Sequence, residues 1–122
     1  AHYADFDTLL ETSDWVAICL PGNASTRHLF DANRIARMKP GARLINVSRA
    51  EIVERTAALA ALRSGQLGGY ALDPLYAAPG RDDDELLQCE NVLLTPHLAA
   101  QPRFNALDDI ADLIIGLEEK HQ

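Results

Sequence analysis

Three residues able to do chemistry recur at one kind of place, the position just after a short apolar run. Arg49 follows Arg43–Val47 (RLINV), Asp73 follows Gly69–Leu72 (GYAL), and His97 follows Val92–Thr95 (VLLT) and Pro96. A guanidinium presents a planar fork of donors suited to a carboxylate or a carbonyl oxygen. An imidazole gives and takes a proton near neutral pH. A carboxylate accepts from an amide. Each has a plainer alternative: Arg49 as a surface arginine paired with Glu51 or Glu54, His97 bonded to a loop carbonyl, Asp73 as a cap or turn former before Pro74. His2, His28 and His121 have no comparable placement and read as surface residues. The run Asp82-Asp83-Asp84-Glu85 reads as a solvated helix start and not as a metal site, and no metal motif is present.

Something must bring these residues together, and the apolar pattern supplies it. Asp5–Thr12 reads as a short helix capped by Asp5 or Asp7, with Phe6, Leu9 and Leu10 as its apolar face. Trp15–Leu20 (WVAICL) is too short for a helix and predicts a strand buried on both faces, ended by Pro21-Gly22-Asn23. A helical turn over Ala24–Phe30 leads to Asp31, which caps a helix through Met38 that Lys39-Pro40-Gly41 stops. RLINV predicts a second buried strand. Arg55–Ser64 is an Ala- and Leu-rich helix closed by Gly65. GYAL and VLLT predict two more strands, and Asp82–Leu87 a short helix. Phe104, Leu107, Ile110, Leu113, Ile114 and Leu117 recur every three or four residues and predict a last helix from about Arg103 to Glu119.

Strands alternating with helices predict an α/β fold, a parallel sheet with helices on both faces. Ligands of such sheets sit beyond the carboxyl ends of the strands. That rule selects Leu20-Pro21, Ser48-Arg49, Asp73 and His97 from four strands on one edge.

Composition narrows the partners. The 122 residues carry 11 basic and 18 acidic side chains, a formal charge of −7. Nucleic acids and anionic membrane surfaces reward clusters of Lys and Arg, so neither is expected as a partner. No run is long enough to cross a membrane. Cys19 and Cys89 read as buried free thiols, which fits a reducing, cytoplasmic setting.

The ordered set Leu20-Pro21, Lys39-Pro40-Gly41, Asn46-Val47-Ser48-Arg49, Leu62-Arg63-Ser64-Gly65, Leu72-Asp73 and Thr95-Pro96-His97 resembles the D-isomer-specific 2-hydroxyacid dehydrogenases, from about Asp5 to about Leu117. The resemblance implies the second half of a Rossmann-like, doubly wound parallel sheet. It implies hydride transfer between NAD or NADP and a 2-hydroxy acid/2-oxo acid pair. Arg49 would bind the substrate carboxylate and carbonyl, and His97 would be the acid/base. Leu20, Pro21, Val47, Ser48, Arg49, Asp73, His97, Leu98, Ala99 and Ala100 would face the cofactor, with Asp73 taking the nicotinamide carboxamide.

Three departures from the family pattern stand out. Ala78, before Pro79, occupies the place of the glutamate that orients the histidine, and a methyl group cannot do that; a water or a neighbour such as Tyr76 is the candidate substitute. Ala50 follows the arginine where glycine is usual, and Ala99-Ala100 replaces a glycine-containing pair. The glycine-rich G-x-G-x-x-G loop and the acidic residue that grips the ribose are absent, since Gly68-Gly69 precedes a strand and not a helix. Residues 1–122 are therefore expected to be a partial dinucleotide-binding domain, with 103–122 the helix returning toward a substrate domain. The chain by itself is expected to be inactive, to bind cofactor poorly and to form homo-oligomers. The alternative is a stand-alone half-domain that acts as a scaffold or self-associating module.

Overall fold

The apolar runs pair side by side. In the computed structural model, which describes residues 2–74, 76 and 85–95, β1 (Trp15–Ile18), β2 (Ala42–Asn46), β3 (Leu67–Leu72) and β4 (Val92–Leu94) form one sheet in the order β1-β2-β3-β4. Every pair is parallel, with Ile18 opposite Asn46, Asn46 opposite Leu72 and Leu72 opposite Leu94. That register brings the four carboxyl ends level.

Among the described residues three α-helices form where the caps allow. α1 (Phe6–Thr12) begins at Asp5, whose carboxylate accepts from the Thr8 amide at 3.0 Å and the Thr8 hydroxyl at 2.7 Å. α2 (Ala32–Arg37) begins at Asp31, which accepts from the Arg34 amide at 2.9 Å. At its other end, the Gln66 amide donates to the carbonyls of Ile35 and Met38, satisfying acceptors that α2 leaves open. α3 (Arg55–Ser64) ends at Gly65 in the left-handed region, φ 82°, where a side chain would be strained.

The described helices cover one face of the sheet. Val16, Ile18, Leu44, Tyr70 and Leu72 point into a core completed by Leu10, Phe30, Ile35, Leu59 and Leu62. Phe6 meets Phe30 edge-on, with ring centroids 5.4 Å apart. Two expectations need correction here. β1 and β2 are not buried on both faces: their burial alternates, and Trp15 remains 59% exposed with the Arg43 guanidinium 4.9 Å from its ring centroid. β4 behaves likewise, with Leu93 62% exposed on the same face. The reason is that no described element lies over that face; the helix expected at 103–119 lies outside the described residues. Leu9 is also exposed and leaves Phe6 and Leu10 as the packing residues of α1.

Smaller differences follow the strand ends. β1 stops at Ile18, so Cys19 falls beyond the strand; it is a free thiol but exposed, and Cys89 is half-buried. Residues 85–88 form a turn; the rest of the expected helix at 82–87 is outside the described residues. A 3-10 turn over Ala50–Ile52, not anticipated, follows Arg49, and Val53 then bridges to Phe30. No described helix is long and apolar enough to cross a membrane.

Candidate active site at the carboxyl edge of the sheet

The parallel ladder does not end with the strands; backbone and side chains carry it further. Ser48, two residues past β2, donates its hydroxyl to the Ile18 carbonyl and accepts from the Leu20 amide, both at 2.9 Å. The Asp73 amide donates to the Asn46 carbonyl, and the Thr95 amide to that of Leu72. The Thr95 hydroxyl completes the row with a 2.6 Å hydrogen bond to Asp73 Oδ1. The segments after β1, β2, β3 and β4 are thus tied in sequence, each to its neighbour. Crossed hydrogen bonds of this kind make a rim from which side chains project with little freedom.

On that rim Leu20, Pro21, Val47 and Arg49 are exposed, Ser48 is half-buried, and Asp73 is only 7% exposed. Arg49 pairs with neither Glu51 nor Glu54. Its guanidinium donates one Nη1 hydrogen bond to the Ser48 carbonyl at 2.8 Å, which leaves other donors of the fork open. Its stem lies across Gly22, where a Cβ would stand 2.5 Å from Arg49 Cγ. Glycine at 22 is therefore what lets the arginine lie down over the β1 loop. Beside it is a groove of about 400 Å³ lined by Gly22, Asn23, Thr26, Arg27, Arg49 and Glu51. Two cations against one carboxylate favour an anion there.

Ala50 sits without strain. Among the described residues only His28 combines a side chain with positive φ, and Ala50 is buried in the 3-10 turn. The glycine usual at this place is not required by the backbone here. Tyr76 does not stand free to replace the missing glutamate: its hydroxyl donates to the Val53 carbonyl at 3.0 Å and meets the Tyr70 hydroxyl at 3.3 Å. Burial pushes the pKa of both phenols up, that of Tyr76 furthest. Ala78, His97, Leu98, Ala99 and Ala100 lie outside the described residues. Among the described residues no cluster of three His, Cys, Asp or Glu side chains is placed to hold a metal ion.

Sequence reasoning missed Gly22, Asn46 and Thr95 as parts of the site. Asn46 and Thr95 stand inside motifs it used, but their partners are distant in sequence, and a single sequence carries no signal of such pairing.

The parallel α/β sheet, with arginine and a buried aspartate at successive strand ends, is a Rossmann-like fold. The chain belongs to the family of the D-isomer specific 2-hydroxyacid dehydrogenase NAD binding domain, whose model matches residues 1–99. It is 39% identical to glyoxylate/hydroxypyruvate reductase B of Salmonella newport over 99% of its own length and 40% of the relative's. The structure superposes on a D-isomer specific 2-hydroxyacid dehydrogenase from Xanthobacter autotrophicus Py2 with a TM-score of 0.76 and 35% identity, covering 94% of this chain and 38% of that one. An NAD-dependent formate dehydrogenase from Staphylococcus aureus, in complex with NAD, gives 0.72 and 36%, covering 77% and 28%. The chain spans about 40% of the length of the curated relatives it matches.

Proposed function

We propose that this chain forms the nicotinamide-facing half of the active site of an NAD(P)-dependent 2-hydroxyacid dehydrogenase. The observation that carries the reading is Arg49, held past the end of β2 with its stem over Gly22, its fork only partly engaged and a cationic groove beside it. The exposed Leu20, Pro21 and Val47, the half-buried Ser48 and the buried Asp73 fit a nicotinamide riboside laid along the rim, Asp73 accepting from the carboxamide. When bound, a reduced nicotinamide would supply the hydride for C2 of a 2-oxo acid. Arg49 holds the substrate carboxylate and polarises the carbonyl oxygen. The family resemblance gives His97 the delivery of the proton that this oxygen takes up and counts Leu98, Ala99 and Ala100 among the residues that would face the cofactor. A carboxylate that orients the active histidine is worth ~10⁴ in rate in the serine-protease case. With Ala78 in the glutamate's place and the Tyr76 hydroxyl committed to Val53, that orientation is weaker here, and catalysis is slower for it.

The 122 residues contain no G-x-G-x-x-G loop. Grip on the pyrophosphate and selection between NAD and NADP belong to a unit other than this one, and the isolated chain is inactive. Two free thiols go with a reducing, cytoplasmic setting.

The test is an NADH and NADPH oxidation assay with glyoxylate, hydroxypyruvate and pyruvate. The chain is assayed alone and as the C-terminal part of a chimera with the N-terminal segments of a 2-hydroxyacid dehydrogenase. Turnover is expected only in the chimera and is lost in Arg49→Ala and His97→Ala. Turnover by the chain alone, or a chimera indifferent to Arg49, would sink the reading.

A second reading has one observation in its favour. The sheet face that no described element covers presents Trp15, Ala17, Ile45, Ala71 and Leu93, and β1 is an edge strand among the described residues. Under it the chain is a self-associating half-domain, its copies meeting through that face.

A further inference from the structure

We infer that Asn46 is the positioning residue for Arg49: its buried carboxamide clamps the main chain from which the guanidinium extends, and a tyrosine pair holds the far end of the turn that Arg49 begins. The inference deepens the proposed role of Arg49 as carboxylate ligand and rests on it.

Asn46 is the last residue of β2 and has no exposed surface. Its Oδ1 accepts from the Ser48 amide at 3.0 Å and its Nδ2 donates to the Arg49 carbonyl at 2.9 Å. One side chain thus spans the three residues beyond the strand and sets Arg49 in extended backbone at φ −136°, ψ 138°. The arrangement has a direction. Turning the amide over would set an N–H against the Ser48 N–H and an oxygen against the Arg49 carbonyl, and buried unmatched polar groups are costly.

Two tyrosines hold the far end of the same segment. A phenol has one hydrogen, and that of Tyr76 goes to the Val53 carbonyl. In the 3.3 Å contact between the two hydroxyls, Tyr70 must therefore be the donor. The run Tyr70–Tyr76–Val53 is unidirectional and part-buried. It returns to the far end of the turn that Arg49 begins, because Val53 closes the 3-10 segment Ala50–Ile52. Residues 49–53 are gripped by a side chain at each end, the Arg49 carbonyl by Asn46 and the Val53 carbonyl by Tyr76. A ligand-binding fork works only if it is held to about 0.5 Å, and this grip meets that need for Arg49.

The experiment compares the isotope-labelled full chain with Asn46→Asp and Tyr70→Phe. Aspartate keeps the acceptor for Ser48 but puts an oxygen against the Arg49 carbonyl; phenylalanine keeps the ring and removes the relay. Oxamate, a 2-oxo-acid analogue, is titrated while the Arg49 Nε signal is followed. Amide exchange is measured at Ile52, which donates to the Arg49 carbonyl, and at Leu44 in mid-strand. Oxamate affinity is expected to fall roughly 10-fold or more in Asn46→Asp, in line with the sensitivity of such sites to small displacements, and by less in Tyr70→Phe. Ile52 should exchange faster in both variants and Leu44 at its original rate. Unchanged affinity in folded variants overturns the inference, as does faster exchange at Ile52 and Leu44 alike, which marks Asn46 as a general core residue. If Asn46→Asp does not fold, Tyr70→Phe decides. If the wild-type Arg49 signal ignores oxamate, the proposed function loses its support, and Ile52 exchange alone tests the clamp.

Discussion

Arg49 and Gly22 occupy each other's space: the arginine's Cγ fills the place where a side chain on residue 22 would begin, 2.5 Å from an ideal Cβ there. The two residues are far apart in sequence and belong to loops of adjacent parallel strands. Gly22 does not adopt a positive φ, so its role is to make room.

Gly22→Ala should therefore push the Arg49 stem off the β1 loop without unfolding the chain. Arg49 Cβ is also near, at 3.1 Å, so the contact is with the rigid base of the side chain, and bending only the tip cannot relieve it. In the active chimera the KM for glyoxylate should rise roughly 10-fold or more, as small misplacements of a positioning group do. The KM for NADH should move less. Equal KM values in variant and parent would show that Arg49 works from another position.

Thr95→Val tests the rim. Valine matches threonine in shape but removes the hydroxyl that donates to Asp73 Oδ1 at 2.6 Å. Asp73 is nearly buried, and a lost hydrogen bond at a buried charged group costs about 1–3 kcal/mol. Urea unfolding should show a loss in that range. No loss would mean the Asp73 carboxylate is held by other partners.

The buried tyrosines predict an alkaline limit. In the unfolded chain Tyr70 and Tyr76 ionise near their ordinary value of 10.0, while burial raises both in the folded state. Below pH 10 both states keep the protons and stability is unaffected by them. Above it the unfolded state releases protons that the folded state retains, so stability falls, by at most about 1.4 kcal/mol per pH unit for each tyrosine that stays protonated in the folded state. Tyr76→Phe should make the fall shallower, although it also frees the Val53 carbonyl and lowers stability at neutral pH. Denaturant midpoints from pH 8 to 11 measure both effects, and parallel slopes for parent and variant would refute the assignment.

Leu93→Glu addresses self-association. Leu93 is exposed on the sheet face that no described element covers, so the change should cost little in monomer stability and should put a charge into any interface there. Sedimentation velocity should show concentration-dependent association for the parent and less for the variant. Identical profiles would remove that face from consideration.

Much of the fold was legible because each element announces itself locally. Asp5 and Asp31 cap their helices, Gly65 ends α3, and four short apolar runs become four parallel strands. The strand-end rule then located Leu20, Ser48, Arg49 and Asp73 on one edge, and the structure places them there. Double-sided burial of the strands was misread, because an apolar run reports what a strand can bury and not what lies over it.

What the sequence determined by itself is the chemistry available and its place at the strand ends, since residue type and apolar periodicity are properties of a short stretch. The tertiary structure decided what holds that chemistry still. Gly22 under Arg49, Thr95 on Asp73, Ser48 between Ile18 and Leu20, and Tyr76 on Val53 instead of toward the site are all contacts across 20 or more residues. Such contacts come from strand register and loop path, which no local pattern encodes.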